Sequence, residues 1–340
     1  MTTVLVTGAG GPAGISIIRS LLARGDTRVI AADMDRYASG LYLVPPDQRV
    51  LVPAGLSPEF VPQVINWCAA FGVNVLFPTV DVELPLIAVA RKEFAAIGVV
   101  VASPSLFTLD TCLDKLALAN RCAGVLPVPR TDLLGPAAAV ARDYPVVVKP
   151  RRGAGSRGIS YVESESELLA LGSDDTRLVQ DMLPGDEYSV DVLADLQGHV
   201  VAAVPRSRLR VDSGVSVAGA TFHDQEVEQA ARRVAIAIGL STVANVQLRR
   251  DRQGRAALLE VNPRFPGAMP LTIAAGIDMP SLTLDAVLGR PLPAAIDFRD
   301  IAVVRYLEDV FLQVSDIDDV PSSAAAISAA AVSIAGASTG

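Results

Sequence analysis

The sequence predicts two architectures in tandem: an α/β domain with a parallel, Rossmann-like sheet over residues 1–110, then an α+β region of mostly antiparallel strands. Three observations predict this. The chain has 340 residues, more than one layered core usually holds. Its first hundred residues alternate short apolar strands with stretches of helical period. Near Pro104 that alternation gives way to strands joined by tight turns.

Residues 3–7 read as a strand, 8–14 as a glycine loop, and 15–24 as a helix with Ile15, Ile18, Leu21 and Leu22 on one face. A second strand, 28–32, ends at Asp33. Residues 58–71 read as a helix with proline in its first turn, followed by a strand at 73–78, a helix at 84–94 and a strand at 99–102. Strand–helix repetition of this kind means a parallel sheet covered on both faces. Beyond it, helices are expected at 113–122, 136–144 and 225–238, with a stiff connector at 127–129. Strands are expected at 146–149, 159–162, 177–180, 188–194, 200–204, 244–248 and 257–261, and a second glycine loop at 151–158. The last residues, 322–340, are rich in Ala, Ser and Gly and uncharged; they read as a disordered tail within 316–340 rather than a membrane anchor.

Charge and composition exclude several classes. With 29 basic and 37 acidic residues the net charge is −8, which argues against a nucleic-acid surface. Hydrophobic residues make up 51% and mean hydropathy is +0.40, but much of that is Ala and Val. No run of about 18 strongly apolar residues marks a membrane span. The first residues lack a basic leader region, and Cys68, Cys112 and Cys122 show no CxxC spacing, so buried thiols and a cytoplasmic location are expected. Only Lys92, Lys115 and Lys149 stand against 26 arginines; genomic base composition explains the total but not the positions.

The first glycine loop, GAGGPA over 8–13, fits G-x-G-x-x-G/A, and Asp33 lies where an acidic side chain would bind a ribose hydroxyl. Taken alone this is a site for a nicotinamide dinucleotide, and hence for an NAD(P)-dependent oxidoreductase. No Tyr-x-x-x-Lys accompanies it. Two other readings stand beside it: a loop whose Gly10 and Gly11 touch a substrate, and a structural turn. After the strand at 73–78, Asp81 and Glu83 could hold an amine, or Asp81 could cap a helix.

Five features of the second half occur in order: Asp114-Lys115; VVKPRRGAGSRG over 147–158; VQDMLPGDEYSVD over 179–191; NVQ over 245–247; and LEVNPR over 259–264. Glu260, Asn262 and Arg264 alternate, so a strand would turn all three to one face. One carboxylate with the amide oxygens of Asn262 and Gln247 is a hard-oxygen set suited to Mg2+. An exposed strand end with incidental polar residues is the bland alternative. Lys149 closes a Val-rich strand, an unfavourable place for a charge without an anion. Arg206, Arg208 and Arg210 alternate after a strand and would form an anion clamp or, less specifically, a solvated basic edge. His199 and His223 show neither metal spacing nor a nucleophile partner and read as structural.

The five features in register resemble the ATP-grasp superfamily, in particular a single synthetase half of the carbamoyl-phosphate synthetase large subunit and free-standing carboxylate–amine ligases. The resemblance spans about residues 1–310 and implies a pre-ATP-grasp domain at 1–110, a small lobe or lid at 111–183 and a C-terminal lobe at 184–315. It implies that Lys115 and Lys149 reach the α-phosphate and adenine side of ATP. Gly153, Gly155, Ser156 and Gly158 would fold over the phosphates. Gln180, Asp181, Met182 and Leu183 form a hinge whose backbone meets the adenine edge, and Glu187 serves the ribose. Gln247, Glu260 and Asn262 would hold Mg2+, with Mn2+ as a substitute. Arg264, with Arg206 and Arg208, acts on the transferred phosphoryl group, and Arg210 and Ser216, in the loop GVSVAG over 214–219, meet the substrate.

The implied activity is an ADP-forming ligase that activates a carboxylate as an acyl phosphate for attack by an amine. Its partners are small molecules, without nucleic acid or membrane, and a homodimer is the default assembly. Phosphorylation of bicarbonate or carbamate is the alternative within the family, and a nucleotide-binding regulator without catalysis the alternative outside it. Two departures stand out. Gln247 replaces a common carboxylate, and Gln180-Asp181 occupies a hinge where Glu is common. One synthetase-like half and no glutaminase are present.

Overall fold

In a computed structural model, residues 1–153, 157–212 and 215–323 are described. They divide into two units. The first comprises Met1–Ser103, Asp278–Leu292 and the described residues from Tyr306 on; the second comprises the described residues of Pro104–Ile277 and Pro293–Arg305.

The first unit is built on five parallel strands, β1 (Thr2–Val6), β2 (Thr27–Asp33), β3 (Arg49–Leu51), β4 (Val75–Phe77) and β5 (Val100–Val101), in the order β3-β2-β1-β4-β5. The strand order reverses beside β1, so the loops after β1 and β4 diverge there, the usual position of a ligand crevice. Leu5, Ile30 and Leu76 bury one face of the sheet against Phe60, Val64, Trp67, Ile87 and Phe94. The helix Phe60–Phe71 starts just after Pro58, and the expected single helix over 84–94 is broken at Ala90 into Leu84–Val89 and Arg91–Ala96.

The expected boundary at 110 lies instead between Ser103 and Pro104. The helix Leu106–Leu113 went unread in the sequence because its apolar face is short. It packs into the second unit, where Thr108 Oγ1 donates to the carbonyls of Ile238 and Gly239, both at 3.0 Å. Conversely, the helix Met279–Val287 returns to the first unit. Its N-cap Asp278 accepts from Ser20 at 2.6 Å, and Arg24 forks onto Asp285 at 3.2 and 3.0 Å. Of the expected tail, residues up to 323 are placed: Val314–Asp318 is a short helix, and the Pro321 carbonyl accepts from Leu51 N at 2.8 Å. Residues 324–340 lie outside the described residues.

The second unit contains β6 (Thr131–Leu134), β7 (Val146–Pro150), β8 (Ser160–Val162), β9 (Asp174–Asp181), β10 (Glu187–Ala194), β11 (Val200–Ser207), β12 (Arg210–Asp212), β13 (Val215–Ala220), β14 (Val243–Arg250), β15 (Ala256–Asn262) and β16 (Ala302–Val304). They form antiparallel sheets ordered β6-β9-β7-β8, β11-β10-β14-β15 and β12-β13-β16. Each of the two four-stranded sheets has one apolar face. In the first, Val146, Val148, Val162 and Val179 pack on Leu134, Ala138 and Leu168. In the second, Val190, Val192, Val246 and Leu248 pack on Val227, Ala231 and Val234 of the helix Gln225–Ala237, which Asp224 caps. The substrate loop expected over 214–219 lies, from Val215 on, in β13, where Ser216 is buried and donates to the Ala218 carbonyl at 3.0 Å. Among the described residues no helix is long and apolar enough to cross a membrane.

Candidate functional site

The face of each four-stranded sheet turned away from its apolar core carries the candidate chemistry. In β6-β9-β7-β8, Thr131, Gln180 and Val147 stand in one cross-strand row, and Lys149 is two residues along β7 on the same side. Lys149 is 5% exposed; its Nζ donates to Gln180 Oε1 at 2.8 Å, and Gln180 Nε2 donates to Thr131 Oγ1 at 2.9 Å. Burial, aided by the charge of Lys115, pushes the Lys149 ammonium down to about 8 against the opposing pull of Glu260. Lys149, Lys115 and Glu260 therefore share one electrostatic environment although they come from β7, a helix and β15.

Lys115 begins the helix Lys115–Cys122. The buried Asp114 caps this helix by accepting from Leu116 N and Ala117 N at 3.1 and 3.2 Å. Arg151 and Arg152, just beyond β7, also bind Asp114, at 2.9 and 3.0 Å. Burial works to raise that carboxyl, but the Arg151 hydrogen bond, the helix amide and the two guanidinium charges carry it below its usual range. Asp114 thus ties the Lys115 helix to the loop after β7, and Lys115 Nζ reaches the Gly153 carbonyl at 2.7 Å. Gly158 closes the described part of that loop with φ +72°, a left-handed backbone that favours glycine. The expected contributions of Gly155 and Ser156 lie outside the described residues.

In β11-β10-β14-β15, opposed residues share a face, so two rows can be read across the sheet. One runs Arg206, Ser189, Gln247, Glu260; the other ends Asp191, Asn245, Asn262. A bulge makes this possible. Gln247 opposes Glu260 but Leu248 opposes Leu258, which leaves Leu259 without a partner. The extra residue sends Leu258 into the core, 2% exposed, while Glu260, two residues on, faces the opposite side beside Gln247. Glu260, Asn262, Gln247 and Arg264 are all half-buried. Asn262 Nδ2 lies 3.4 Å from Glu260 Oε1; a half-turn of that amide would present its oxygen instead. Arg264 N donates to the Asn262 carbonyl at 2.8 Å, which curls the chain at the end of the row. The donor set holds one carboxylate and two amides, a modest site that Mg2+ fits only if phosphate oxygens and waters complete its octahedron. Among the described residues no cluster of three or more His, Cys, Asp or Glu could hold a metal by itself.

The expected clamp of Arg206, Arg208 and Arg210 is not formed, because β11 ends at Ser207 and the alternation stops there. Arg206 is 2% exposed and forks onto the fully buried Asp191 through Nε and Nη2, at 2.8 and 2.7 Å. Asn245 Nδ2 and Thr272 Oγ1 also donate to Asp191, at 2.8 and 2.5 Å. Arg208 instead binds Glu187 at 2.8 Å, so the carboxylate expected to serve a ribose already has a cation, and Arg210 is exposed in β12. Asp191 and Asn245 stood inside recognised motifs, yet neither suggested a buried network; Thr272 and Thr131 gave no signal at all. Arg305 was also missed: it donates to the Gly267 carbonyl at 2.5 Å, and burial with the charge of Arg206 lowers its pKa. Of the hinge, Asp181 is held by the buried Arg142, and Leu183 is buried. Asp181, Met182 and Leu183 line a cavity of about 260 Å3 with Pro127–Arg130 and residues of the β14–β15 turn. Lys149 and Glu260 are not among its lining residues.

The glycine loop of the first unit is differently committed. Gly10 N donates to Asp33 Oδ2 at 2.8 Å and Gly11 N to the Gly8 carbonyl at 3.0 Å, so both amides are spent inside the loop. Asp33, buried, also accepts from Asp35 N at 3.0 Å and is no free ribose ligand. The chain's own segment at 38–40 lies over the loop: a Cβ on Gly10 would stand 2.6 Å from Ala38 Cβ, and one on Gly40 would stand 1.9 Å from the Ala9 carbonyl. The glycines are there for this close packing, which corrects both the dinucleotide reading and the expected substrate contacts of Gly10 and Gly11. Glu83 is likewise buried and accepts from Thr7 Oγ1 at 2.6 Å; burial and the charge of Asp33 raise it to about 7 against that hydrogen bond. Asp81 is half-buried, and the next helix begins from Glu83 without a side-chain cap. His199 and His223 pair with Asp195 and Glu228 at 2.9 and 3.2 Å, and all three cysteines are free and buried.

Two family models match separate parts of the chain. The family model for the ATP-grasp in the biosynthetic pathway with Ter operon matches residues 173–310, and the PylC-like N-terminal domain matches residues 4–102. A D-alanine–D-alanine ligase of Halorhodospira halophila is 33% identical over 197 residues, covering 49% of this chain and 62% of that one. The pyruvate carboxylase of Schizosaccharomyces pombe is 27% identical over 264 residues, 68% of this chain but only 22% of the carboxylase, so the chain spans a minor part of that relative. The biotin carboxylase of Campylobacter jejuni, solved as a complex with βγ-ATP, superimposes with a TM-score of 0.72 at 20% identity, over 86% of this chain and 72% of that one; the likeness is one of fold. The chain thus matches a PylC-like N-terminal domain over residues 4–102 and an ATP-grasp domain over residues 173–310, and its relatives are ATP-grasp ligases.

Proposed function

We propose that the protein is an ATP-dependent, ADP-forming carboxylate–amine ligase that works through an acyl phosphate. One arrangement carries the reading: Lys149 is buried and held by Gln180 on the non-core face of one sheet, Glu260 stands beside Gln247 on the non-core face of another, and the carboxylate opposes the fall in the Lys149 pKa that burial causes. A buried ammonium and a half-buried carboxylate with adjoining amide oxygens are what a triphosphate and its cation require on opposite flanks.

In this reading Lys149 and Lys115 bind the nucleotide phosphates, and Gly153 and Gly158 frame the loop above them. The hinge 180–183 offers its backbone to the adenine edge, and Glu187 meets the ribose once Arg208 yields it. Gln247, Glu260 and Asn262 would hold Mg2+, which neutralises phosphate charge when bound. Arg264 holds the substrate carboxylate and then the acyl phosphate; Arg206, buried and forked onto Asp191, fixes the polar face from which it acts, so that face needs little reorganisation during transfer. A carboxylate oxygen attacks the terminal phosphorus and ADP departs; the amine then attacks the acyl carbon, loses a proton to solvent and expels phosphate. No strong general base is required in this scheme.

The test is ADP release over a matrix of carboxylates, bicarbonate included, and amines, with Mg2+ and then Mn2+. At least one pair is expected to raise ADP release well above the rate with either substrate alone. Background release from every pair, with MgADP still bound, would replace the ligase by a nucleotide-binding regulator.

A further inference from the structure

The side chain of Gln180 has a task that its hinge position does not by itself explain. Among the described residues, Lys149 and Gln180 combine burial, at 5% exposure each, with a direct polar contact on the non-core face of β6-β9-β7-β8. Pairing β7 with β9 sets Gln180 opposite Val147, so its amide falls beside the ammonium two residues along. An amide can turn either its oxygen or its nitrogen to a neighbour, and only the oxygen accepts from an ammonium. Thr131, opposite Gln180 on β6, removes that freedom. Its hydroxyl donates to the Pro129 carbonyl at 2.9 Å and therefore faces Gln180 Nε2 with a lone pair, which fixes Oε1 towards Lys149. The relay begins in the 127–129 connector and ends at the ammonium.

We infer that Gln180 is a positioning residue for the nucleotide site: oriented by Thr131, its side-chain amide holds the Lys149 ammonium at the place where a phosphate oxygen meets it. This rests on the nucleotide-site reading given above. A glutamate here would form an ion pair with Lys149 and compete with the phosphate. A neutral acceptor aims the ammonium without neutralising it, so its charge remains available to the ligand.

The test uses the full chain and MgADP as the probe, followed by titration calorimetry. Gln180→Leu is expected to weaken MgADP about tenfold, the scale of one lost hydrogen bond to a charged group. Thr131→Val, which removes only the orienting hydroxyl, is expected to weaken it about threefold, and Gln180→Glu to bind more tightly than Gln180→Leu because an acceptor is restored. In a Lys149→Met background, Gln180→Leu is expected to change affinity less than about twofold, since the group it positions is gone. If Gln180→Leu does not fold, Thr131→Val and its double variant with Lys149→Met carry the test. Wild-type affinity in Gln180→Leu and Thr131→Val, or an undiminished loss in the Lys149→Met background, overturns the positioning role alone. A wild-type chain that binds no MgADP overturns the nucleotide-site reading and this inference with it.

Discussion

The glycine loop at 8–14 and the polar face of β11-β10-β14-β15 are both rich in groups that suggest a ligand, and they differ in what those groups already hold. In the loop, the amides of Gly10 and Gly11 and both oxygens of Asp33 are engaged by the chain itself, and the segment at 38–40 fills the space above. On the sheet, buried donors converge on Asp191 to build a support, while Glu260 and Gln247 stay half-buried at its rim. A motif gives residue types and spacing; whether its donors are free decides between scaffold and site.

Five measurements test that contrast. The largest effect is expected at Asp191. Its replacement by Ala leaves Arg206 buried without a counter-ion and should destabilise the second unit by about 3–5 kcal/mol, read as a lowered denaturant midpoint. A midpoint near wild type would mean that the network is not a support. Next, Gly40→Val puts a side chain against the Ala9 carbonyl and should lower stability by about 2–4 kcal/mol. The wild-type protein should meanwhile show no saturable NAD(P) binding by fluorescence. Tight NAD(P) binding would reverse the contrast.

Glu83 gives a pH test of the first unit. Its carboxyl is raised to about 7 in the fold, so the folded state holds a proton that the unfolded chain releases at lower pH. The stabilisation is fully present below about pH 4.5 and is lost as pH rises through about 7, by roughly 3 kcal/mol at most. Glu83→Gln should flatten that part of the stability profile, and an unchanged slope would remove Glu83 as its source. The smallest effect is expected for Lys149, held down to about 8: affinity for MgADP should fall about tenfold per pH unit above that value. Lys149→Met should abolish this dependence; a dependence that persists would belong to another group.

Much of the fold was legible because periodicity reports burial. The parallel strands, the amphipathic helix Gln225–Ala237 and the β14–β15 pair all follow from it. Glu260, Asn262 and Gln247 were legible as a row, yet the reason they share a face was not: it is a single unpaired residue, Leu259, and no residue type marks a bulge here. The fates of Arg206, Arg208 and Glu187 were hidden for a related reason, since alternation gives direction only until the strand ends at Ser207. The helix Leu106–Leu113 and the return of Met279–Val287 to the first unit depend on long-range partners such as Ile238 and Ser20. The Gln180 side chain looked incidental because its contact with Lys149 exists only through the β7–β9 register.

The central claim is that Lys149 and Glu260 serve one nucleotide site, and the direct measurement is ATP-dependent ADP release by Lys149→Ala and Glu260→Ala beside the wild type. Each variant is expected to lose turnover by about a hundredfold or more while its circular dichroism spectrum stays native. Turnover at the wild-type rate in either folded variant would contradict the claim.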